Sequence, residues 1–137
     1  MPTFQLDLVT PERMVFSDHV QSIVAPGVEG SFGVLAGHAS FLTELRVGLI
    51  SLTLPTGFGS HIATSGGFLQ VSGNKVIILA DTAELAEEID VERAQASADR
   101  ARSALEVGGG SGGAEAARAE LERSLNRIRV AQMRLHT

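Results

Sequence analysis

Between Phe4 and Asp81 apolar and polar residues alternate with a period of two, the signature of strands that bury one face. Phe4, Leu6 and Leu8 alternate with Gln5, Asp7 and Val9 until Pro11 breaks the run. Ser22 to Ala25 is rich in β-formers and stops at Pro26-Gly27, and Phe32 to Leu35 ends at Ala36-Gly37-His38. Leu49, Ser51 and Thr53 trace one face of a strand, and Ile50, Leu52 and Leu54 trace the other, up to Pro55. Thr56-Gly57-Phe58-Gly59 reads as its turn. His61–Thr64, Phe68–Val71 and Val76–Leu79 continue the series, punctuated by Gly66-Gly67 and Gly73-Asn74. Many short strands at this spacing predict an antiparallel β-sandwich of about ten strands. Phe32, Phe41, Phe58 and Phe68 are expected mostly in its core, with one or two of them as interface anchors.

After Asp81 the period changes to that of a helix, and the fold class becomes α+β. Val91, Ala94, Ala98, Ala101 and Leu105 recur at steps of three and four, with Asp90 placed as an N-cap. Gly108-Gly109-Gly110-Ser111-Gly112-Gly113 is expected to stop this helix outright, since each glycine costs a helix interior about 1 kcal/mol relative to alanine. A second stripe follows at Ala117, Leu121, Leu125, Ile128 and Leu135. The pattern predicts a sandwich over residues 1–86 and an antiparallel two-helix hairpin over 87–137, with helices at about 90–106 and 114–135 and a glycine-rich link at 108–113. The apolar stripe of the first helix is mostly alanine, which buries little area, so the hairpin is expected to be weakly held and able to detach.

Composition narrows the function. The 137 residues include no cysteine, which excludes disulfides and thiolate metal sites. The net charge of −5 lacks the basic footprint of a nucleic-acid binder. It hides a cationic end: beyond Glu122 the charges are Arg123, Arg127, Arg129 and Arg134. No apolar run approaches the roughly 20 residues that span a bilayer. Met1 to Gln5 shows no basic segment leading into an apolar one, so neither secretion nor organelle import is expected. Any membrane association is expected to run through partner proteins.

The candidate chemistry is sparse. His19, His38, His61 and His136 lack metal-ligand spacing, and no metal site is expected. The glycines match no phosphate loop, because no Gly-Lys-Ser/Thr follows them. Ser40, His38 and Asp18 have no nucleophile elbow around them, so no catalytic residues are assigned and an independent enzyme is not expected. A carbohydrate-binding sandwich is disfavoured by the absence of tryptophan and tyrosine.

Three segments in register carry a family resemblance. The first is Glu29-Gly30-Ser31-Phe32-Gly33-Val34-Leu35-Ala36-Gly37-His38-Ala39-Ser40-Phe41-Leu42-Thr43. The second is Ser65-Gly66-Gly67-Phe68 with Gly73-Asn74-Lys75-Val76, running into Leu79-Ala80-Asp81-Thr82-Ala83-Glu84. The third is Ile89-Asp90-Val91-Glu92-Arg93-Ala94, at the start of the hairpin. In order and spacing they resemble the epsilon subunit of F-type ATP synthases, nearly end to end.

The resemblance implies a non-catalytic rotor subunit, with no required cofactor, whose sandwich couples the gamma subunit to the c-ring. By position, Glu29, Gly30 and Ser31 resemble the c-ring contact, and His38, Phe41, Leu42 and Thr43 resemble part of the gamma-facing surface. The hairpin would extend among the alpha and beta subunits and block ATP hydrolysis. It also implies a place on the cytoplasmic face of a bacterial plasma membrane, or alternatively on a plastid thylakoid. Glu84, Ile89, Asp90, Arg93, Ala94, Arg100, Arg123 and Arg127 resemble the positions of members that bind ATP as a regulatory ligand. The residues agree with that reading: Arg123 and Arg127 lie at i and i+4 on one helix face, Arg93 and Arg100 two turns apart on the other helix, and guanidinium groups suit a triphosphate. Asp90 and Glu84 would accept hydrogen bonds from a base or sugar. The alternatives are solvated arginines paired with Glu92, Asp99 and Glu122, and a stand-alone ATP-sensing module.

Overall fold

The computed structural model describes residues 2–107 and 111–133. Strands β1 (Phe4–Val9), β2 (Met14–Val20), β3 (Ser22–Gly27), β4 (Gly30–Leu35) and β5 (Phe41–Leu45) come first. β6 (Gly48–Thr53), β7 (Gly59–Thr64), β8 (Gly67–Ser72), β9 (Lys75–Ala80) and β10 (Ala83–Leu85) complete the sandwich. A 3₁₀ turn at Ala86–Glu88 leads into helix α1 (Val91–Val107), and helix α2 (Ser111–Gln132) returns against it.

The strand order is β10-β7-β6-β3-β5-β8-β9-β1-β2, with β4 paired to β3. β3 and β5 are joined only at Gly27↔Leu45, so the sheet folds there into two layers. One pair departs from the antiparallel plan: β1 and β9 run parallel, in register from Gln5↔Lys75 to Val9↔Leu79. The alternation does what a period of two requires. β1, β6 and β8 bury every second residue, and Leu6, Leu8, Ile50, Leu52, Leu69 and Ile78 pack together with essentially no exposure. On the outer face of β1, Gln5 Nε2, Ser17 Oγ and Lys75 Nζ all reach the Asp7 carboxylate, and these bonds, Gln5 first, hold its pKa below the usual carboxylate range.

Several expectations need correction. α2 begins at Ser111, not near residue 114, so Gly112 and Gly113 lie inside it. In a first turn the N–H groups lack intrahelical partners anyway, and the alanine-rich run behind them favours propagation. Gly108–Gly110, Arg134, Leu135 and His136 lie outside the described residues. Phe58 sits at the β6–β7 turn and Phe68 on the outer side of β8, and both are exposed; only Phe32 and Phe41 pack against the core. The buried side of α2 is not the whole of the predicted stripe. Ala117 is buried and Leu121 and Ile128 are half-buried as expected, but Leu125 is exposed, and Ser124, Asn126, Val130 and Ala131 are buried instead. The helix packs on both α1 and the sandwich, so its buried arc spans two contacts rather than one.

Asn126 ties that arc to the sheet. Its Nδ2 donates to the Gly48 carbonyl at 2.9 Å and the Thr64 carbonyl at 3.5 Å, while its Oδ1 accepts from Arg129. Beside it Val130 and Ala131 pack on Ala63, Ala86 and Ile89. α1 contributes only small buried side chains to the hairpin: Ala94, Ser97, Ala98 and Ala101.

Candidate functional site

A cleft of about 500 Å³ opens where the hairpin meets the sandwich. The corner Thr64-Ser65 and the segment Asp81–Glu84 line its sandwich side, together with Thr10, Glu12 and Arg13. Arg93 and Ser97 of α1, with Glu120, Arg123, Ser124 and Arg127 of α2, line the helical side. Steps of three and four put each helix's contributors on one face, which is why the helical period delivers them together. The corner is fixed by Thr64, whose Oγ1 accepts from the Gly66 N–H and donates to the Gly66 carbonyl.

The cleft carries both signs of charge. Arg127 Nε and Nη2 donate to Glu84 Oε1 and Oε2 at 2.5 and 3.1 Å, a two-pronged pair between α2 and β10. Arg123 Nη2 donates to Glu120 Oε2 at 2.6 Å, within α2. Arg13 pairs with Glu88, and its guanidinium holds that carboxyl below the usual range. Among the described residues Arg93 makes no ion pair.

Of the positions that the ATP resemblance implies, Glu84, Arg93, Arg123 and Arg127 meet in this cleft. The other four stand elsewhere. Asp90 is the helix cap expected of it, its Oδ1 accepting the Arg93 backbone N–H at 3.1 Å. Ile89 and Ala94 are buried packing positions. Arg100 is exposed, bonds Ser97 Oγ at 3.1 Å and does not line the cleft. In the alternative of solvated arginines the partners are Glu92, Asp99 and Glu122; in the structure Arg123 and Arg127 pair with Glu120 and Glu84, and Asp99 pairs with Arg102.

A second surface gathers every residue of the other two predicted groups. Glu29, Gly30 and Ser31 at the β3–β4 turn share a shallow depression with His38, Phe41, Leu42 and Thr43. Phe41 is its pivot: its ring meets Phe32 edge-on at 5.7 Å and His38 at 4.9 Å. His38 Nδ1 lies 2.8 Å from the Ala39 carbonyl, and among the described residues none of the hairpin lines this surface.

Sequence reasoning missed the apolar row on the outer face next to it. Register partners Met14↔Val9, Val9↔Leu79 and Leu79↔Phe68 set four apolar side chains in line across β2, β1, β9 and β8, and Met14, Leu79 and Phe68 are each half exposed or more. Leu42, opposite Gln70 on β8, extends it toward the depression. The outward parity of Phe68 and Leu79 in their alternating strands was the signal available. Among the described residues, no group of three or more histidine, aspartate or glutamate side chains is placed to hold a metal ion.

Comparison with known proteins accounts for both halves. Residues 3–86 match the family described as the ATP synthase delta/epsilon chain, beta-sandwich domain, and residues 87–132 match its long alpha-helix domain. The ATP synthase epsilon chain of Carboxydothermus hydrogenoformans is 54% identical over 101 residues, 74% of this chain and 75% of that one. The epsilon chain of Desulforamulus reducens is 42% identical over 130 residues, covering 95% and 98% of the two chains. Among solved structures, a chain of the Euglena gracilis mitochondrial ATP synthase assembly superposes with a TM-score of 0.76 at 27% identity, over 99% of this chain and 84% of that one. A chain of the Tetrahymena thermophila mitochondrial ATP synthase central stalk and c-ring assembly shares the fold, with a TM-score of 0.59 at 16% identity over 93% and 95% of the two chains. On both its sandwich and its helices, the chain belongs to the delta/epsilon chain family of ATP synthase, as an epsilon chain.

Proposed function

We propose that this epsilon chain is a non-catalytic rotor part that couples the gamma subunit to the c-ring and restrains ATP hydrolysis through its hairpin. The observation that carries the first half is the exposed surface formed by Glu29–Ser31 and His38–Thr43 with the apolar row Met14, Val9, Leu79 and Phe68. An apolar sheet face of that extent with a polar rim fits a protein partner. In this reading the row and Leu42 meet gamma, and the polar turn at Glu29–Ser31 meets the c-ring loops. The related Euglena chain, solved together with a c-ring, supports that placement. No helix among the described residues is long and apolar enough to cross a membrane. In this reading membrane association is peripheral and made through the complex, on the cytoplasmic face of a bacterial plasma membrane.

The inhibitory half rests on the charge of α2, where Arg123, Arg127 and Arg129 follow the last acidic residue, Glu122. Such a helix is steered toward an acidic surface on the alpha and beta subunits once released. Truncation after Glu88 is expected to leave gamma binding intact and to raise ATPase activity in the reconstituted enzyme. Loss of gamma binding in the truncated chain, or unchanged hydrolysis, overturns the respective half.

A second reading concerns the cleft. Arg93, Arg123 and Arg127 converge there from two helices, and the sandwich closes the other side. We infer that it takes ATP, phosphates toward the arginines, and that occupancy favours the docked hairpin by bridging its two helices and the sheet. Titration calorimetry is expected to show binding that weakens about tenfold or more in Arg127→Ala, in line with the loss of a charge-assisted bidentate contact. No heat and no shift in melting temperature at millimolar ATP would remove this reading.

A further inference from the structure

We propose that Glu120 is an internal competitor for the phosphate groups of the ligand, an anion built into α2 that keeps the affinity of the cleft low and lessens its preference for highly charged nucleotides. The proposal rests on the cleft being a nucleotide site. Glu120 lies one turn before Arg123 on the same face of α2, both line the cleft, and the carboxylate accepts from Arg123 Nη2 at 2.6 Å. A phosphate needs that same donor. To take it, the incoming anion must break the pair and then sit about one helical turn from a carboxylate that stays in the cleft wall, where like charges repel.

The pair does little else. Both side chains are more than two-fifths exposed, and ion pairs of that kind add little to folding stability. Glu120 also differs from the other carboxylate in the cleft that engages an arginine. Glu84 comes from β10 and grips Arg127 of α2, so it holds the helix on the sandwich, and replacing it alters docking as well as charge. The ion pair of Glu120 is internal to one turn of its own helix, so its removal changes the field in the cleft while Glu84, Asn126 and Val130 continue to dock α2.

The test is titration calorimetry on the full chain with ATP, ADP and AMP, for the unaltered protein, Glu120→Gln and Glu115→Gln. Glu115 is exposed on α2 and does not line the cleft, so its variant removes the same charge elsewhere on the helix. Glu120→Gln is expected to bind ATP about five- to tenfold more tightly, with a gain that shrinks from ATP to ADP to AMP and fades as salt is raised. Glu115→Gln is expected to bind as the unaltered chain does. A Glu120→Gln affinity equal to or below that of the unaltered chain overturns the competitor, and so does an equal gain in Glu115→Gln. If neither the unaltered chain nor Glu120→Gln binds ATP, the nucleotide reading falls first and takes the competitor with it. A ligand-free melt of Glu120→Gln is expected to match the unaltered chain; a lowered melting temperature would mean that the pair serves folding and would count against the proposal.

Discussion

Gly67→Ala is expected to destabilise the sandwich by about 3 kcal/mol or more. Gly67 opens β8 with φ at +142°, a backbone conformation that residues with a Cβ rarely adopt. The space is closed as well. A Cβ there meets the Leu79 carbonyl oxygen at 2.1 Å and the Ala80 Cα at 2.8 Å. These are backbone atoms of the paired strand, so no rotamer change relieves the clash, and β8 must move off β9. Gly67 is also opposite Leu45 on β5, so the shift spreads across three strands. The comparison that isolates the close approach is Gly73→Ala at the β8–β9 turn. Gly73 also has positive φ, at +61°, but nothing stands within 4 Å of its Cβ position, so only the conformational penalty of about 1 kcal/mol applies. Urea unfolding followed by circular dichroism measures both. Equal losses in the two variants would mean that backbone angle, not contact with Leu79, decides the glycine at this corner. The same corner carries Thr64 and Ser65 on the wall of the cleft, so a displaced β8 also deforms the candidate site.

How much of this was legible in the sequence depends on how local the cause is. β6 was readable residue by residue, because each of its side chains answers to one question, inside or outside. β2 was not. Its Met14-Val15-Phe16-Ser17-Asp18-His19-Val20 mixes apolar and polar residues because the strand is at the edge of the sheet, where little but Val20 must be buried. Phe68 was misplaced for a related reason. Its size suggests core, but its parity in β8 points outward.

The helices show the limit more sharply. A hydrophobic stripe marks the buried side of α2 only if the buried side is hydrophobic, and here it includes Ser124 and Asn126, chosen for close approach and for hydrogen bonds to the sheet. The arginines of the cleft were visible as a shared helix face. The partner of Arg127 was not: Glu84 is 43 residues away, and nothing local links them, whereas Glu120 lies three residues from Arg123 on the same helix. The cap at Asp90 needed only the residues that follow it and was readable, although the same carboxylate was also assigned to a ligand.

Val130→Asp is expected to release the hairpin while the sandwich stays folded. Val130 is fully buried against Ala63, Ala86, Ile89 and Ala131, an apolar contact made mostly of alanine. The described residues packed around it are all apolar, and a buried charge left unpaired costs several kcal/mol. The hairpin has little to set against that. Alanine contacts bury small areas, and among the described residues the side-chain ties of α2 to the sandwich include Asn126 to the Gly48 carbonyl and Arg127 to the half-buried Glu84. A penalty of about 3 kcal/mol corresponds to roughly a hundredfold rise in the undocked population. Hydrogen exchange reads it directly: the amides of 113–132 are expected to exchange about a hundredfold faster, while those of β8 and β9 keep their protection. Leu125→Asp, on the exposed side of the same helix, is expected to change neither. If the strands lose protection together with the helix, the chain unfolds as one unit, and a hairpin that detaches while the sandwich holds its place on the stalk is excluded. If only the helices open, the docked state is held by a margin small enough for a ligand in the cleft to govern, since the cleft is lined by both helices and the sheet they leave.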